Sequence, residues 1–233
     1  MTRLAVMQPY LFPYIGYFHL MHAVDRFVVL DDVAYIRRGW INRNVILVDG
    51  TPTRFTLPIR NASQNRLILE HERADDERWR SRWLRTLERS YGKAPCFVPT
   101  FDLVTSVLAH PERRLSPWIT MTLQRICTHL SLPVTIIPTS SVYGNAEIRG
   151  QERIVDICRR EHATQYVNAG GGTPLYSPTR FDAASIDLRF VQSRFTPYPQ
   201  AAAAFVPGLS ILDVLMHNHP EEIRERLFTY DLT

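Results

Sequence analysis

Residues 3–32 read "RLAVMQPYLFPYIGYFHLMHAVDRFVVLDD", and the order of their parts decides the fold class. "RLAVMQ" is a short apolar strand, "GYFHLMHAV" has helical character, and "RFVVLDD" is a second apolar strand closed by two aspartates, which is β-α-β grammar. The corner joining the first strand to the helix is unusual. Between Met7 and Met21 it holds two prolines, three tyrosines, two phenylalanines and one glycine. A corner that only reverses the chain is satisfied by Gly, Asn, Asp or Ser, which supply turn geometry without large apolar surface. Stiff aromatic side chains in this place point instead to a ligand, because they offer stacking faces and hydroxyls at low entropic cost. The competing reading is a rigid aromatic plug over the top of the sheet.

The alternation continues outward from this segment. "NVILVDGTPTRFTLPI" reads as a hairpin turning at Asp49-Gly50 and decorating one edge. Helical spacing follows from Asp75 to about Tyr91, with Trp79, Trp83 and Leu87 on one face, and again from about Thr100 to Leu130, with Ser116-Pro117 marking a helix start. "PVTIIP", "TQYVNAG" and "IDLRFVQ" are strands, "QERIVDICRREH" is a helix, and "SILDVLMHN" is a last helix with Ser210 at its N-cap. The expected fold is α/β: one domain over residues 1–233 with a mostly parallel sheet, flanking helices, a hairpin edge and a helical insert at about 75–131.

Composition narrows the function classes. The chain has 233 residues, 45% hydrophobic and 21% charged, as globular proteins do. No apolar run reaches the roughly 20 residues that span a bilayer, and "MTRLAVMQPY" is too soon interrupted for a secretory signal, so no membrane insertion and a cytoplasmic location are expected. Cys96, Cys127 and Cys158 are odd in number and form no CxxC pair, which suggests reduced thiols. The net charge is only +4, and Lys93 is the single lysine. Mechanisms that need several lysines are excluded.

Four groups of polar or aromatic residues follow the ends of strands. These are Gln8 to Tyr14, Asp31 and Asp32 with Tyr35 to Arg43, Ser140 to Gly144, and Asn168 to Tyr176. In an open parallel sheet ligands bind beyond the carboxyl ends of the strands, so one crevice is expected to collect Gln8, Tyr14, an aspartate and Asn168. Gly16 permits close backbone approach, and the hydroxyls of Tyr14 and Tyr17 are candidate phosphate donors. Adjacent residues of an extended chain point opposite ways, so one of Asp31 and Asp32 is expected to face the crevice, as a magnesium ligand beside a phosphate or as a base for an amine, with an N-cap and turn pair as the competing reading.

"YIRRGWINRN" supplies Arg37, Arg38 and Arg43 with Trp40, Asn42 and Asn44 among them. Arginine forks with a stacking ring also suit nucleic acid, but one short cluster and a small net charge fit a single diphosphate better. "NAGGGTPLY" places Gly170, Gly171 and Gly172 after a strand, where their amides can cradle an anion, while a turn needing positive φ explains them equally well. It is not a P-loop, since no Gly-Lys-Ser/Thr follows. Tyr176 closes this group. Cys158 reads as a buried small hydrophobe, and neither His19 with His22 nor His217 with His219 makes a metal site alone.

The stretches "MQPYLFPYIGYFHL", "FVVLDDVAYIRRGWINRN", "LPVTIIPTSS", "ERIVDICRREHATQYVNAGGGTPLY" and "FVPGLSILDVLMHN" resemble the WbqC-like proteins, and together they span most of the chain. The resemblance implies a cytoplasmic enzyme of surface-polysaccharide or other small-molecule biosynthesis. The opening layout is also similar to the nucleotidyltransferase superfamily, but tyrosines stand where its His-x-Gly-His turn has histidines, and there is no lysine-rich loop.

From that family context the expected substrate is a small molecule, a nucleotide-linked or phosphorylated amino compound, whose amine receives an acyl or aminoacyl group. Arg37, Arg38 and Arg43 hold phosphate in this scheme, and Tyr10, Tyr14 and Trp40 stack or orient. Asp31 or Asp32 takes the amine proton, and the amides of Gly170 to Gly172 face an oxyanion. The alternatives are a nucleotidyltransferase or adenylate-forming enzyme, and a noncatalytic sugar-nucleotide or protein-binding component. Nucleic acid is not an expected partner, and the sequence assigns neither a cofactor nor an oligomeric state.

Overall fold

The computed structural model describes residues 1–233. In chain order its strands are β1 (Arg3–Met7), β2 (Arg26–Val29), β3 (Arg43–Val48), β4 (Thr51–Thr56), β5 (Thr135–Ile137), β6 (Gln165–Ala169), β7 (Asp187–Ser193) and β8 (Tyr230–Leu232). Its helices are α1 (Ile15–His22), α2 (Glu77–Tyr91), α3 (Phe97–Ala109), α4 (Leu115–His129), α5 (Gly150–Arg160), α6 (Pro178–Asp182), α7 (Ile211–His217) and α8 (Pro220–Arg226). Six strands form one sheet in the order β5-β2-β1-β6-β7-β8. The first five are parallel, and β8 is an antiparallel edge.

The chain winds from β1 outward through β2 to β5, then returns to β6 and β7 on the other side of β1. This is the doubly wound, Rossmann-like order, and the reversal falls between β1 and β6. Both faces of the sheet are covered, which is why β1 and β2 are apolar runs without alternation. Ala5, Phe27, Val29 and Val167 pack with α1, α4 and α7 in the larger core, which also receives Trp83 and Leu87 of α2. Leu4, Val6, Val28 and Tyr166 pack with α5 and Phe181 of α6 in a smaller one.

Local signals explain the elements near the site. The β3–β4 turn uses Asp49 and Gly50, both at positive φ (50° and 73°), as a two-residue hairpin requires. The hairpin is a separate two-stranded sheet, not hydrogen-bonded to the edge of the larger one. Asp76 caps α2 by accepting the Trp79 amide at 2.7 Å. The helical stretch expected from Thr100 to Leu130 is two helices, because Pro111 and a run of extended residues around it interrupt the pattern.

The aromatic corner is locked from two sides. Phe12 adopts φ 43°, which is strained for a bulky side chain. Its carbonyl accepts hydrogen bonds from Asn44 Nδ2 at 2.9 Å and Ser210 Oγ at 2.7 Å. The same Ser210 hydroxyl caps α7 by accepting the Leu212 amide at 3.3 Å. The Ile211 amide donates to the Pro13 carbonyl at 2.8 Å, and the Leu11 amide to the Ile41 carbonyl at 3.1 Å. The corner is thus fastened to both the hairpin and α7. No helix is long and apolar enough to cross a membrane.

Candidate functional site

The corner opens onto an aromatic cavity of about 330 Å³ lined by Tyr10, Pro13, Tyr14, Trp40, Asn44, Phe195 and Gly208. Tyr10 and Tyr14 follow β1 and Phe195 follows β7, so the cavity lies at the carboxyl edge of the parallel sheet, where doubly wound folds bind ligands. The rings of Tyr14 and Phe195 are 6.1 Å apart at 54°. Trp40 is 47% exposed, and its indole presents an open face. Burial pushes the Tyr10 and Tyr14 hydroxyls above their ordinary pKa, so both remain neutral hydrogen-bond donors at physiological pH. Asn44 gives its amide to Leu11 and Phe12, and it shapes the wall.

The loop that carries Trp40 also lines a second, polar cavity of about 480 Å³. Tyr35, Arg37, Arg38, Asn42 and Arg43 contribute to it. Arg43 Nε donates to the Gly39 carbonyl at 2.6 Å and closes the loop on itself, while Arg37 and Arg38 are exposed and form no ion pair. Asn42 accepts the Tyr35 hydroxyl at 2.8 Å and donates to the Leu57 carbonyl at 2.7 Å. Both of its polar ends are used inside the protein. It is a brace for the loop and not a free ligand contact.

The expected single crevice is not formed. Asp31 and Asp32 are 2% and 7% exposed, and both turn into the protein. Asp31 accepts hydrogen bonds from Ser116 at 2.6 Å and Thr139 at 2.7 Å; Asp32 accepts from Ser140 and pairs with Arg153 at 2.5 Å. The alternation rule fails because β2 ends at Val29, and the two carboxylates lie beyond it where the chain leaves the pleat and bends at Asp32. Burial raises the Asp31 pKa, and the hydrogen bonds from Ser116, Thr139 and the Ser140 amide oppose that rise.

Other expected contacts also prove internal. Tyr17 is buried, and its hydroxyl donates to the Gln8 carbonyl at 2.8 Å, so it belongs to the core and cannot reach a phosphate. Gly16 is required because a Cβ there would collide with the ring of Tyr14, so the glycine seats that ring rather than admitting a ligand. Gln8 is half-buried and lines neither cavity. Asn168 donates to the hydroxyls of Tyr166 at 2.7 Å and Tyr176 at 2.9 Å. It positions Tyr176, which lines a third cavity of about 340 Å³ between the start of α5 and the residues after β2.

The glycine run forms a 3-10 helix from Gly170 to Leu175, and none of Gly170, Gly171 and Gly172 has positive φ. Gly170 is small because the Gln192 side chain occupies the place of a Cβ; at Gly172 a Cβ would lie 2.9 Å from Asn168 Oδ1. Gly171 meets nothing. Nowhere do three or more His, Cys, Asp or Glu side chains converge as metal ligands. Phe195 and Gly208 line the aromatic cavity without having been singled out by sequence, whereas Pro13 and Asn44 belong to the groups the sequence marks. The signal for Phe195 was present: "RFTPYP" after β7 has the same aromatic and proline texture as the corner after β1.

The chain is similar to an uncharacterized protein of Mycobacterium tuberculosis (strain ATCC 25618 / H37Rv), Rv1507c, with 29% identity over 219 residues that cover 93% of this chain and 94% of that protein. No solved structure matches it. A model of the WbqC-like protein family matches residues 8–225, from the aromatic corner almost to the end of α8, and the chain therefore belongs to that family.

Proposed function

We propose that the protein is a small-molecule biosynthetic enzyme that binds a nucleotide-linked or phosphorylated amino compound and transfers an acyl or aminoacyl group to its amine. The observation that supports this reading is the division of labour within one loop. Trp40 joins Tyr10, Tyr14 and Phe195 around an aromatic cavity, while Arg37 and Arg38 of the same loop, with Arg43 at the start of β3, line a polar one. A ring beside phosphate needs this pairing: aromatic faces for the base or sugar, and guanidinium forks for the diphosphate.

In the transfer, the amine nitrogen bonds to the acyl carbon of an activated donor such as a thioester. The carbon–sulfur bond breaks with its electron pair leaving on the thiolate, and the proton lost by the amine goes to that thiolate, so the products are the amide and a free thiol. Asp31 and Asp32 are not assigned that proton, because Ser116, Thr139, Ser140 and Arg153 already occupy them. Tyr10 and Tyr14 orient the ligand as neutral donors. The test is incubation with a uridine diphosphate-linked amino sugar and an acyl thioester, read by mass spectrometry. A product heavier by one acyl group is expected; nucleoside triphosphate turnover with pyrophosphate release would point to nucleotidyl transfer instead.

One observation favours a noncatalytic reading. The ionisable groups lining the aromatic cavity are tyrosine hydroxyls held neutral by burial. Tight binding of the nucleotide sugar with no product in a reconstituted pathway would make the protein a binding component.

A further inference from the structure

A cavity apart from this region lies between the β3–β4 hairpin and α2, with a volume of about 350 Å³. It shares no lining residue with the aromatic cavity, and only Thr56, at the end of β4, with the arginine cavity. Trp79 and Trp83 are four residues apart, so they occupy one face of α2; their rings stack at 6.2 Å and 26°. Phe55 of β4 covers Trp83 at 4.3 Å. Trp83 and Phe55 are therefore buried, whereas Trp79 is half-buried and offers its ring to the cavity.

Arg54 and Arg82 stand at the same cavity, both exposed. Two other arginines of α2 are neutralised, Arg80 by Asp75 at 2.7 Å and Arg89 by Asp49 at 2.7 Å, while Arg78 and Arg85 form no ion pair but do not line the cavity. Arg54 and Arg82 pair with nothing, and no acidic side chain lines the cavity. A concave surface with an aromatic floor and two uncompensated guanidinium groups attracts anions, and the fork geometry suits a carboxylate or phosphate. Thr86 adds a hydroxyl to the rim.

We infer that this cavity is a second ligand site, for a small ring compound that carries a carboxylate or a phosphate, with Trp79 packing on the ring and Arg54 and Arg82 holding the anion. The site stands independently of the reading given above for the Trp40 cavity.

The test is calorimetric titration of the full chain carrying Trp40→Ala, Arg37→Ala and Arg38→Ala, which disables the aromatic and arginine cavities and so separates this site from both. The probes are glucuronic acid and glucose 6-phosphate, with glucose and inorganic phosphate as controls. At least one acidic sugar is expected to bind saturably, and whichever binds fixes the anion. Its affinity should fall at least tenfold in Trp79→Ala and in the double variant Arg54→Gln/Arg82→Gln. Glucose or inorganic phosphate binding as well as the acidic sugars would overturn the assignment, as would unchanged affinity in the variants or no saturable binding of either acid. Should Trp79→Ala fail to fold, the exposed arginine pair decides.

Discussion

Asp31 and Asp32 are neighbours in the chain but anchor different parts of the molecule. Asp31 ties the end of β2 to Ser116 of α4 and to Thr139 after β5, while Asp32 ties it to Arg153 of α5. Removing the charge of Asp32 leaves a buried guanidinium without its counter-ion. Asp32→Asn is expected to lose about 3 to 5 kcal/mol of stability, the usual cost of breaking a buried pair from one side. A urea unfolding midpoint equal to that of the wild type would show that the pair is no anchor. The sequence marks these residues by their chemistry, two carboxylates at a strand end, but their partners lie 85 and 121 residues away, so nothing local distinguishes a base from a brace. Tyr10, Tyr14 and Trp40 were legible for the opposite reason. Turn geometry does not call for bulky rings, and these three line the aromatic cavity.

The corner from Gln8 to Tyr14 owes its shape to elements remote in sequence. Ser210 caps α7 and also donates to the Phe12 carbonyl, 198 residues away in the chain, so one hydroxyl serves both helix and corner. Ser210→Ala removes a cap and a buried hydrogen bond, each worth about 1 kcal/mol, and a loss of about 2 kcal/mol is expected by denaturant titration. A loss confined to a few tenths would mean that Asn44 holds Phe12 alone. Gly16→Ala acts differently. The new Cβ must displace the Tyr14 ring, so the variant is expected to weaken ring binding in the aromatic cavity by more than it lowers melting temperature; calorimetry beside thermal unfolding separates the two. The cap at Ser210 was readable from the sequence, because Ser before an apolar run has a local meaning. Its grip on Phe12 was not, since a long-range hydrogen bond leaves no spacing to read.

At the scale of the whole molecule, alternating strands and helices announced an α/β sheet, while the reversal between β1 and β6 and the antiparallel edge β8 depend on packing that no single segment encodes. The same packing buries His19 completely. Its Nε2–H donates to the Arg226 carbonyl at 3.0 Å, and burial lowers its pKa from 6.5 to about 4. The unfolded chain then binds a proton that the folded one refuses, so this residue's contribution is intact above 6.5 and is lost as the pH falls toward 4. The stability advantage of the wild type over His19→Gln, which keeps a donor without titrating, should shrink by about 2 to 3 kcal/mol between about pH 7.5 and about pH 4.5. A constant difference would mean that His19 does not carry the acid sensitivity. The most direct test of the account concerns the loop shared by the two cavities. Calorimetric titration of a uridine diphosphate-linked amino sugar should show binding to the wild type. It should weaken by about 1 to 3 kcal/mol in Trp40→Ala, the usual worth of a stacked ring, and by at least as much in Arg37→Ala/Arg38→Ala, with melting temperatures unchanged. Equal affinity in all three proteins would contradict the assignment of this loop to a phosphorylated ring ligand.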